Sequence, residues 1–193
     1  MKKRFKFLKA STLFVLLMIV QSLAFAQVSY KIEPTKSSVV VAGTSTLHDW
    51  EMNVETLQAS FDLAEAASIK SLSTGQITIE VESLKSEHSL MDKKTYEALK
   101  SDKNPQIKVK LLDVSITEPG KGIVKIALTI AGKTQQVADD FSVEVLANQA
   151  LKVQGELDLK LTSYDVEPPV ALMGTIKTGD DIKIAYNLVF KAQ

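Results

Sequence analysis

The side chains best suited to chemistry lie in two short runs. His48 and Asp49 precede Trp50, the only tryptophan of the chain, and Glu87–Ser89 contains an acid, a histidine and a serine. Neighbours in sequence rarely point at one another, and the chain has no G-x-S-x-G motif, so a hydrolytic triad is disfavoured. The first run could orient a ligand. It could equally be a hydrogen-bonded turn that holds a packed tryptophan.

The composition argues against metal and phosphate sites. Two histidines and no cysteine would leave a conventional zinc site dependent on carboxylates from several strands. The run LTIAGKT lacks the full phosphate-loop pattern. Arg4 is the only arginine, and it lies in a segment that we expect to be removed, so arginine forks for phosphate are missing from the mature chain. We therefore expect no metal and no cofactor, unless a bound lipid is counted as one.

The first 26 residues have the pattern of a secretory signal peptide. MKKRFKFLK is basic, an apolar run follows, and Ala24-Phe25-Ala26 forms a small-x-small cleavage site. No cysteine follows the apolar run, so a lipoprotein anchor has no attachment point. We expect residues 1–26 to be cleaved and residues 27–193 to form one periplasmic domain without a stable membrane anchor. Five basic residues leave with the signal, and the remaining 18 basic and 23 acidic residues disfavour nucleic-acid binding.

Most of the remaining chain alternates between apolar and polar residues, which is typical of strands with one buried face. The alternation predicts about eight strands with short, antiparallel connections, at 28–32, 37–63, 76–82, 107–116, 124–130, 134–147, 151–162 and 182–190. The apolar positions change parity near Glu55–Thr56 and near Leu111–Leu112, which predicts two bulges. Long, bent, amphipathic strands favour an all-β fold in which an antiparallel sheet closes into an eight-stranded barrel.

Two segments depart from the strand pattern. SLMDKKTYEALKS, at residues 89–101, has helical spacing with Ser89 as an expected N-cap, and it predicts one surface helix. VEPPVALM, at residues 166–173, is apolar, but Pro168 and Pro169 exclude a central strand. We interpret it as a lid or plug that includes Leu172 and Met173.

Four segments together resemble one known family: YKIEPTKSSVVVAGTSTLHDW, VESLKSEHSLMDKKTYEALKSDKNPQIKVKL, ALTIAGKTQQV and LDLKLTSYDVEPP. The chain resembles the YceI-like family of polyisoprenoid-binding, lipocalin-like proteins of bacterial periplasms. The commoner family sequence has a longer segment where His48-Asp49-Trp50 stands here, so the chain resembles a divergent branch. The resemblance implies an eight-stranded lipocalin-like barrel that holds the isoprenoid tail of a polyprenyl phosphate or a quinone, with no catalytic residues.

We therefore expect a non-enzymatic carrier of an isoprenoid or other amphiphilic lipid, acting as a monomer or homodimer. One alternative is a filled, ligand-free barrel that serves in protein interaction or stress response. Another is an enzyme on lipid-like substrates. The expected ligand-binding residues are His48, Trp50, Met52, Ile79, Val81, Ile126, Leu128, Leu157, Leu159, Leu172, Met173 and Tyr186. Replacing Leu159 with Glu is expected to abolish lipid binding in a chain that still folds.

Overall fold

The structure, a computed structural model, describes residues 27–193. The predicted signal sequence of residues 1–26 lies outside the described residues, as do the side chains of Ser73 and Leu172. Within residues 27–193, none of the helices is long and apolar enough to cross a membrane.

The described residues form twelve strands and one α-helix. The strands are β1 (Val28–Ile32), β2 (Ser38–Ser45), β3 (Trp50–Val54), β4 (Leu57–Leu63), β5 (Leu72–Glu80), β6 (Leu84–Lys85), β7 (Gln106–Glu118), β8 (Lys121–Ile130), β9 (Lys133–Val145), β10 (Leu151–Lys160), β11 (Val170–Ala171) and β12 (Ile176–Ala192). The α-helix, α1, spans Ser89–Leu99. Short 3-10 helices lie at Pro34–Lys36, Ile69–Ser71, Val81–Ser83, Ala147–Gln149, Leu161–Tyr164 and Leu172–Gly174.

The strands close into an antiparallel barrel of eight, as predicted. Three barrel strands are each interrupted once, so that β1 with β2, β3 with β4, and β5 with β6 each follow one course. Strands β7, β8, β9, β10 and β12 complete the eight, and each pairs with its neighbour in sequence. The long strand β12 closes the barrel, because it pairs with β10 on one side and with β1 and β2 on the other.

Both predicted parity changes are confirmed. Strands β3 and β4 are separated at Glu55–Thr56, where the Glu55 N–H donates to the Ser83 carbonyl at 2.9 Å instead of continuing the ladder. The pairing of β7 with β8 shifts between Leu111 and Asp113, and Leu112 becomes exposed. Each interruption bends a strand while keeping apolar side chains on the inner face.

Helix α1 is the predicted surface helix, but its N-cap differs from the expectation. Ser89 is the first helical residue, and His88 occupies the cap position without a side-chain hydrogen bond. The buried Asp92 carboxylate instead accepts hydrogen bonds from the backbone N–H of Ser86 at 2.8 Å and from its hydroxyl at 2.7 Å. These bonds fix the first turn of the helix to the chain that leaves β6.

Two apolar clusters lie inside the barrel. The first, which we call the sealed end, contains Tyr30, Phe61, Leu63, Leu151 and Phe190. The second lies toward the other end and is covered by α1 and by the segment around β11; its buried members are Met52, Val81, Leu84, Leu99, Ile126, Leu128, Ile130, Leu159, Tyr164, Val166 and Ile182. The barrel is therefore packed differently at its two ends.

Candidate functional site

A cavity of about 540 Å³ lies inside the barrel. Its wall consists mainly of aliphatic side chains from the barrel strands, and Met91, Thr95 and Ala98 of α1 complete it. Sites for small organic ligands occupy roughly 300–1,000 Å³ and are mostly apolar. The barrel interior thus has the size and the chemistry of a site for an apolar ligand.

Aromatic side chains of the sealed end close the cavity on one side. The ring of Tyr30 stacks on Phe61 with centroids 5.1 Å apart, and Phe61 meets Phe190 edge-on at 4.7 Å. The Tyr30 hydroxyl donates to the Gln149 carbonyl at 3.1 Å and accepts from the Ala67 N–H at 2.9 Å. Phe61 and Phe190 line the cavity, so these rings form its floor.

The opposite side opens at a rim that we call the mouth, formed by Leu47, His48, Leu90 and Val170. These residues come from the β2–β3 turn, from α1 and from β11, and all four line the cavity. Leu47 is 65% exposed, Leu90 58% and Val170 52%. Three separate segments therefore present apolar side chains to solvent around one opening.

The turn that carries His48 is internally hydrogen-bonded. The Ser45 hydroxyl donates to the His48 carbonyl at 2.7 Å and accepts from the His48 N–H at 3.2 Å. The Trp50 indole N–H donates to the Thr44 carbonyl at 3.0 Å. The His48 ring contacts the backbone carbonyl of Asp49 and not its carboxylate. The run is thus a hydrogen-bonded turn that holds a packed tryptophan, and it also contributes His48 and Trp50 to the cavity wall.

Eight of the predicted ligand-binding residues line the cavity: His48, Trp50, Met52, Ile79, Ile126, Leu128, Leu157 and Tyr186. They come from five barrel strands and the β2–β3 turn. Their binding role stays a prediction, but the fold does bring them to one space.

Three predicted residues lie elsewhere. Val81 is buried outside the cavity wall, because β5 ends at Glu80 and Val81 begins a 3-10 turn whose N–H donates to the Pro105 carbonyl. Leu159 is also buried outside the wall, in the cluster that contains Tyr164 and Val166. Met173 is fully exposed, in a left-handed backbone conformation with φ of 55°. The Leu172 side chain lies outside the described residues.

The segment predicted as a lid does contribute to the wall. Pro169, Val170 and Ala171 line the cavity, and β11 pairs with the start of β12. Val166 is buried in the second cluster. The prolines leave this segment outside the barrel ladder, while its apolar residues close part of the barrel end.

The cavity wall contains one polar pair that the sequence pattern does not predict. The Tyr186 hydroxyl on β12 donates to Oδ2 of Asp139 on β9 at 2.6 Å, and both residues line the cavity. Burial raises the pKa of the Asp139 carboxyl. Burial and the neighbouring Asp139 carboxylate raise the pKa of Tyr186. The signal was present in the sequence, since Asp139 shares its strand parity with the inward-facing Phe141.

The described residues contain no group of three histidine, aspartate or glutamate side chains placed to hold a metal ion. Among residues 27–193, Lys94 of α1 is the one lysine that lines the cavity, and its ammonium group pairs with Glu97 at 2.7 Å. The charged side chains that residues 27–193 contribute to the wall are therefore those of Asp139 and Lys94, and both histidines also line the cavity.

Solved structures with the same fold share little sequence with this chain. Burkholderia cenocepacia BcnA is 18% identical with a TM-score of 0.70, and the match covers 82% of this chain and 98% of BcnA. A polyisoprenoid binding domain from Saccharophagus degradans, implicated in plant cell wall breakdown, is 15% identical with a TM-score of 0.62, over 85% of this chain and 98% of the domain. The YceI protein of Campylobacter jejuni is 18% identical with a TM-score of 0.60, over 74% and 84%.

The family comparison covers most of the chain. No curated protein matches it at a significant level. The family model of the YceI-like domain matches residues 30–190, which includes every barrel strand except the first residues of β1 and the last of β12. The chain therefore belongs to the YceI-like family.

Proposed function

We propose that this protein is an exported, non-catalytic carrier that holds a neutral amphiphile with an isoprenoid-like chain in its barrel. The observation that carries the proposal is the apolar cavity of about 540 Å³, which is closed by the rings of the sealed end and open at the mouth. A cavity closed at one end holds a chain that enters from the other.

The energetics favour binding through the chain of the ligand. Burying one methylene group contributes about 0.8 kcal/mol. Association costs roughly 4–15 kcal/mol, so a few isoprene units offset that cost without help from a head group. Polar contacts then need only to orient the ligand.

The charges around the cavity fit a neutral ligand better than a diphosphate. Residues 27–193 contain no arginine, and the Lys94 ammonium group is already paired with Glu97. Ionised Asp139 in the wall would repel an anion that entered the barrel. These features favour an alcohol-like or quinone-like ligand over a polyprenyl phosphate.

Family membership and one structural relative support the same conclusion. The Saccharophagus degradans relative is described as a polyisoprenoid binding domain, and its fold matches most of this chain. The signal-peptide pattern of residues 1–26 supports a periplasmic location.

The emission of Trp50 provides a direct test, because Trp50 is the only tryptophan and lines the cavity. Titration of the mature protein with farnesol is expected to give a saturable change in Trp50 emission. Leu157→Glu places a carboxylate in the cavity wall and is expected to abolish the change. Leu157→Met, a nearly volume-conserving swap, is the matched control and is expected to bind like the wild type.

The test changes Leu157 and not Leu159, because Leu159 is packed in the core. A glutamate at Leu159 would bury a charge without a partner and would destabilise the fold itself. If folded Leu157→Glu protein takes farnesol as well as the wild type does, the ligand does not occupy this cavity. If the wild type shows no saturable change, the carrier proposal fails and a ligand-free interaction module becomes the better account.

A further inference from the structure

Three strands of the barrel wall hold the pair of Asp139 and Tyr186 in place. Asp139 is 8% exposed and points inward from β9, and the Tyr186 hydroxyl reaches it at 2.6 Å from β12. A Cβ atom at Gly155 of β10 would lie 2.2 Å from the Tyr186 hydroxyl oxygen. Gly155 therefore leaves the space that the Tyr186 hydroxyl fills, so β10 contributes to the pair together with β9 and β12.

The hydrogen-bonding capacity of this pair is incompletely used within the protein. A carboxylate offers about four lone-pair positions. Tyr186 donates to one oxygen of Asp139, and the backbone N–H of Asp140 also donates a hydrogen bond to the carboxylate. Asp139 lines an otherwise largely apolar wall, so a ligand in the cavity lies beside this carboxyl. Because Tyr186 uses its single hydrogen on Asp139, the pair presents acceptors to the cavity.

We propose that Asp139 and Tyr186 form a polar subsite that binds a hydrogen-bond donor on the ligand, namely a hydroxyl group. The inference deepens the carrier function proposed above and rests on it. It narrows the ligand class to amphiphilic alcohols and disfavours quinones, esters, ethers and phosphates, which offer acceptors or negative charge. Asp139 is the specificity-determining residue, and Tyr186 and Gly155 are positioning residues.

The buried surroundings of Asp139 favour a hydrogen-bond donor on the ligand. A buried carboxyl loses the hydration that stabilises its charge, and a hydrogen bond from a ligand restores part of that stabilisation. Burial raises the pKa of Asp139, which is consistent with a carboxylate that lacks solvation. An ether or a hydrocarbon at this place supplies no donor and leaves the carboxyl as poorly solvated as before.

The test compares farnesol with its methyl ether, which differ in the donor. The wild-type protein is expected to bind farnesol about tenfold more tightly than the ether, the ratio for one hydrogen bond to a charged acceptor. Asp139→Asn keeps a neutral acceptor and is expected to reduce the preference. Asp139→Leu is expected to abolish it while the ether still binds, so a structural loss of the cavity is separated from the loss of the subsite.

The matched control is Asp140→Asn, one residue along β9, where the side chain is exposed outside the barrel. It changes the net charge by the same amount as Asp139→Asn and is expected to retain the full preference for farnesol. Equal binding of farnesol and ether by the wild type would overturn the subsite and leave the carrier function standing. A preference that survives in Asp139→Leu would overturn it too. Failure of the wild type to bind either probe would overturn the carrier function and the subsite with it.

Discussion

Both ends of this barrel are built from strands with the same apolar and polar alternation, but one end is packed with aromatic rings and the other is open. At the sealed end, Tyr30, Phe61 and Phe190 pack against one another across the interior, and Tyr30 is fully buried. At the mouth, Leu47 and Leu90 are more exposed than buried and border a space. Ring size accounts for much of the difference, since an aromatic side chain buries about 150–250 Å² and can bridge a narrow barrel.

The two ends of the barrel have different roles, one in stability and the other in binding. The sealed end combines ring packing with two backbone hydrogen bonds to one hydroxyl, so it stabilises the fold. The mouth has exposed apolar groups that contribute little to folding, because their burial is incomplete. Variants at the sealed end should therefore change the free energy of unfolding, and variants at the mouth should change ligand binding.

The largest effect is expected from Phe61→Ala at the sealed end. Phe61 is buried between two rings, and removing a buried aromatic ring costs about 3–5 kcal/mol of unfolding free energy. Urea denaturation followed by circular dichroism measures this loss. The matched variant Leu47→Ala at the mouth is expected to change stability by less than about 0.5 kcal/mol. Equal losses at both positions would contradict the division between the ends.

A pair of tyrosines gives a finer comparison. Tyr30→Phe removes a hydroxyl with two backbone partners and is expected to cost about 1–3 kcal/mol. Tyr164 is equally buried, but its hydroxyl oxygen has no hydrogen-bond partner within residues 27–193, so Tyr164→Phe is expected to be neutral or stabilising. The same denaturation experiment measures both variants. A larger loss of unfolding free energy for Tyr164→Phe than for Tyr30→Phe would contradict the stabilising role of the Tyr30 hydrogen bonds.

The smallest effect is expected in the pH dependence of stability. Burial raises the pKa of Asp139 above its ordinary value of 3.8, so the folded state favours the protonated carboxyl. The contribution of Asp139 to stability is then complete below pH 3.8 and falls as the pH rises through the raised pKa. The Tyr186 hydroxyl that donates to this carboxyl, and the charges of Asp140 and Asp158 that act on it, stay unchanged in Asp139→Asn.

Unfolding curves of the wild type and of Asp139→Asn at a series of pH values check this sign. The stability of the wild type relative to the variant is expected to decline between pH 3.8 and neutral pH. A relative gain over the same interval would mean that Asp139 is stabilised as the carboxylate.

The sequence predicts the strands and their faces well because alternation is a local property. The parity change at Glu55–Thr56 was sufficient to locate the break between β3 and β4. The start of β12 was missed, because Gly179-Asp180-Asp181 has the composition of a turn. Strand β12 nevertheless continues through these residues, with a shift in its pairing register to β2 between Thr178 and Ile182. The Asp180 carboxylate accepts two hydrogen bonds from Thr162 at 2.8 Å, and such a long-range contact has no local signal.

The candidate site was predicted less completely than the fold, for a physical reason. Alternation tells which face of a strand is inside, but not how deep along the barrel a side chain lies. Leu157 and Leu159 share one face of β10, yet only Leu157 lines the cavity. The partner of Asp139 is 47 residues away in sequence, so the pair with Tyr186 emerges only when β9 and β12 are placed in the barrel.

The most direct test of the central claim is native mass spectrometry, with solvent extraction, of the protein purified without detergent from the cells that produce it. We expect a stoichiometric adduct whose extracted component is a neutral amphiphile with an isoprenoid chain, and we expect Leu157→Glu protein prepared in parallel to lack it. Folded protein that is free of any adduct, and that takes up no amphiphile when one is added, would contradict the carrier account.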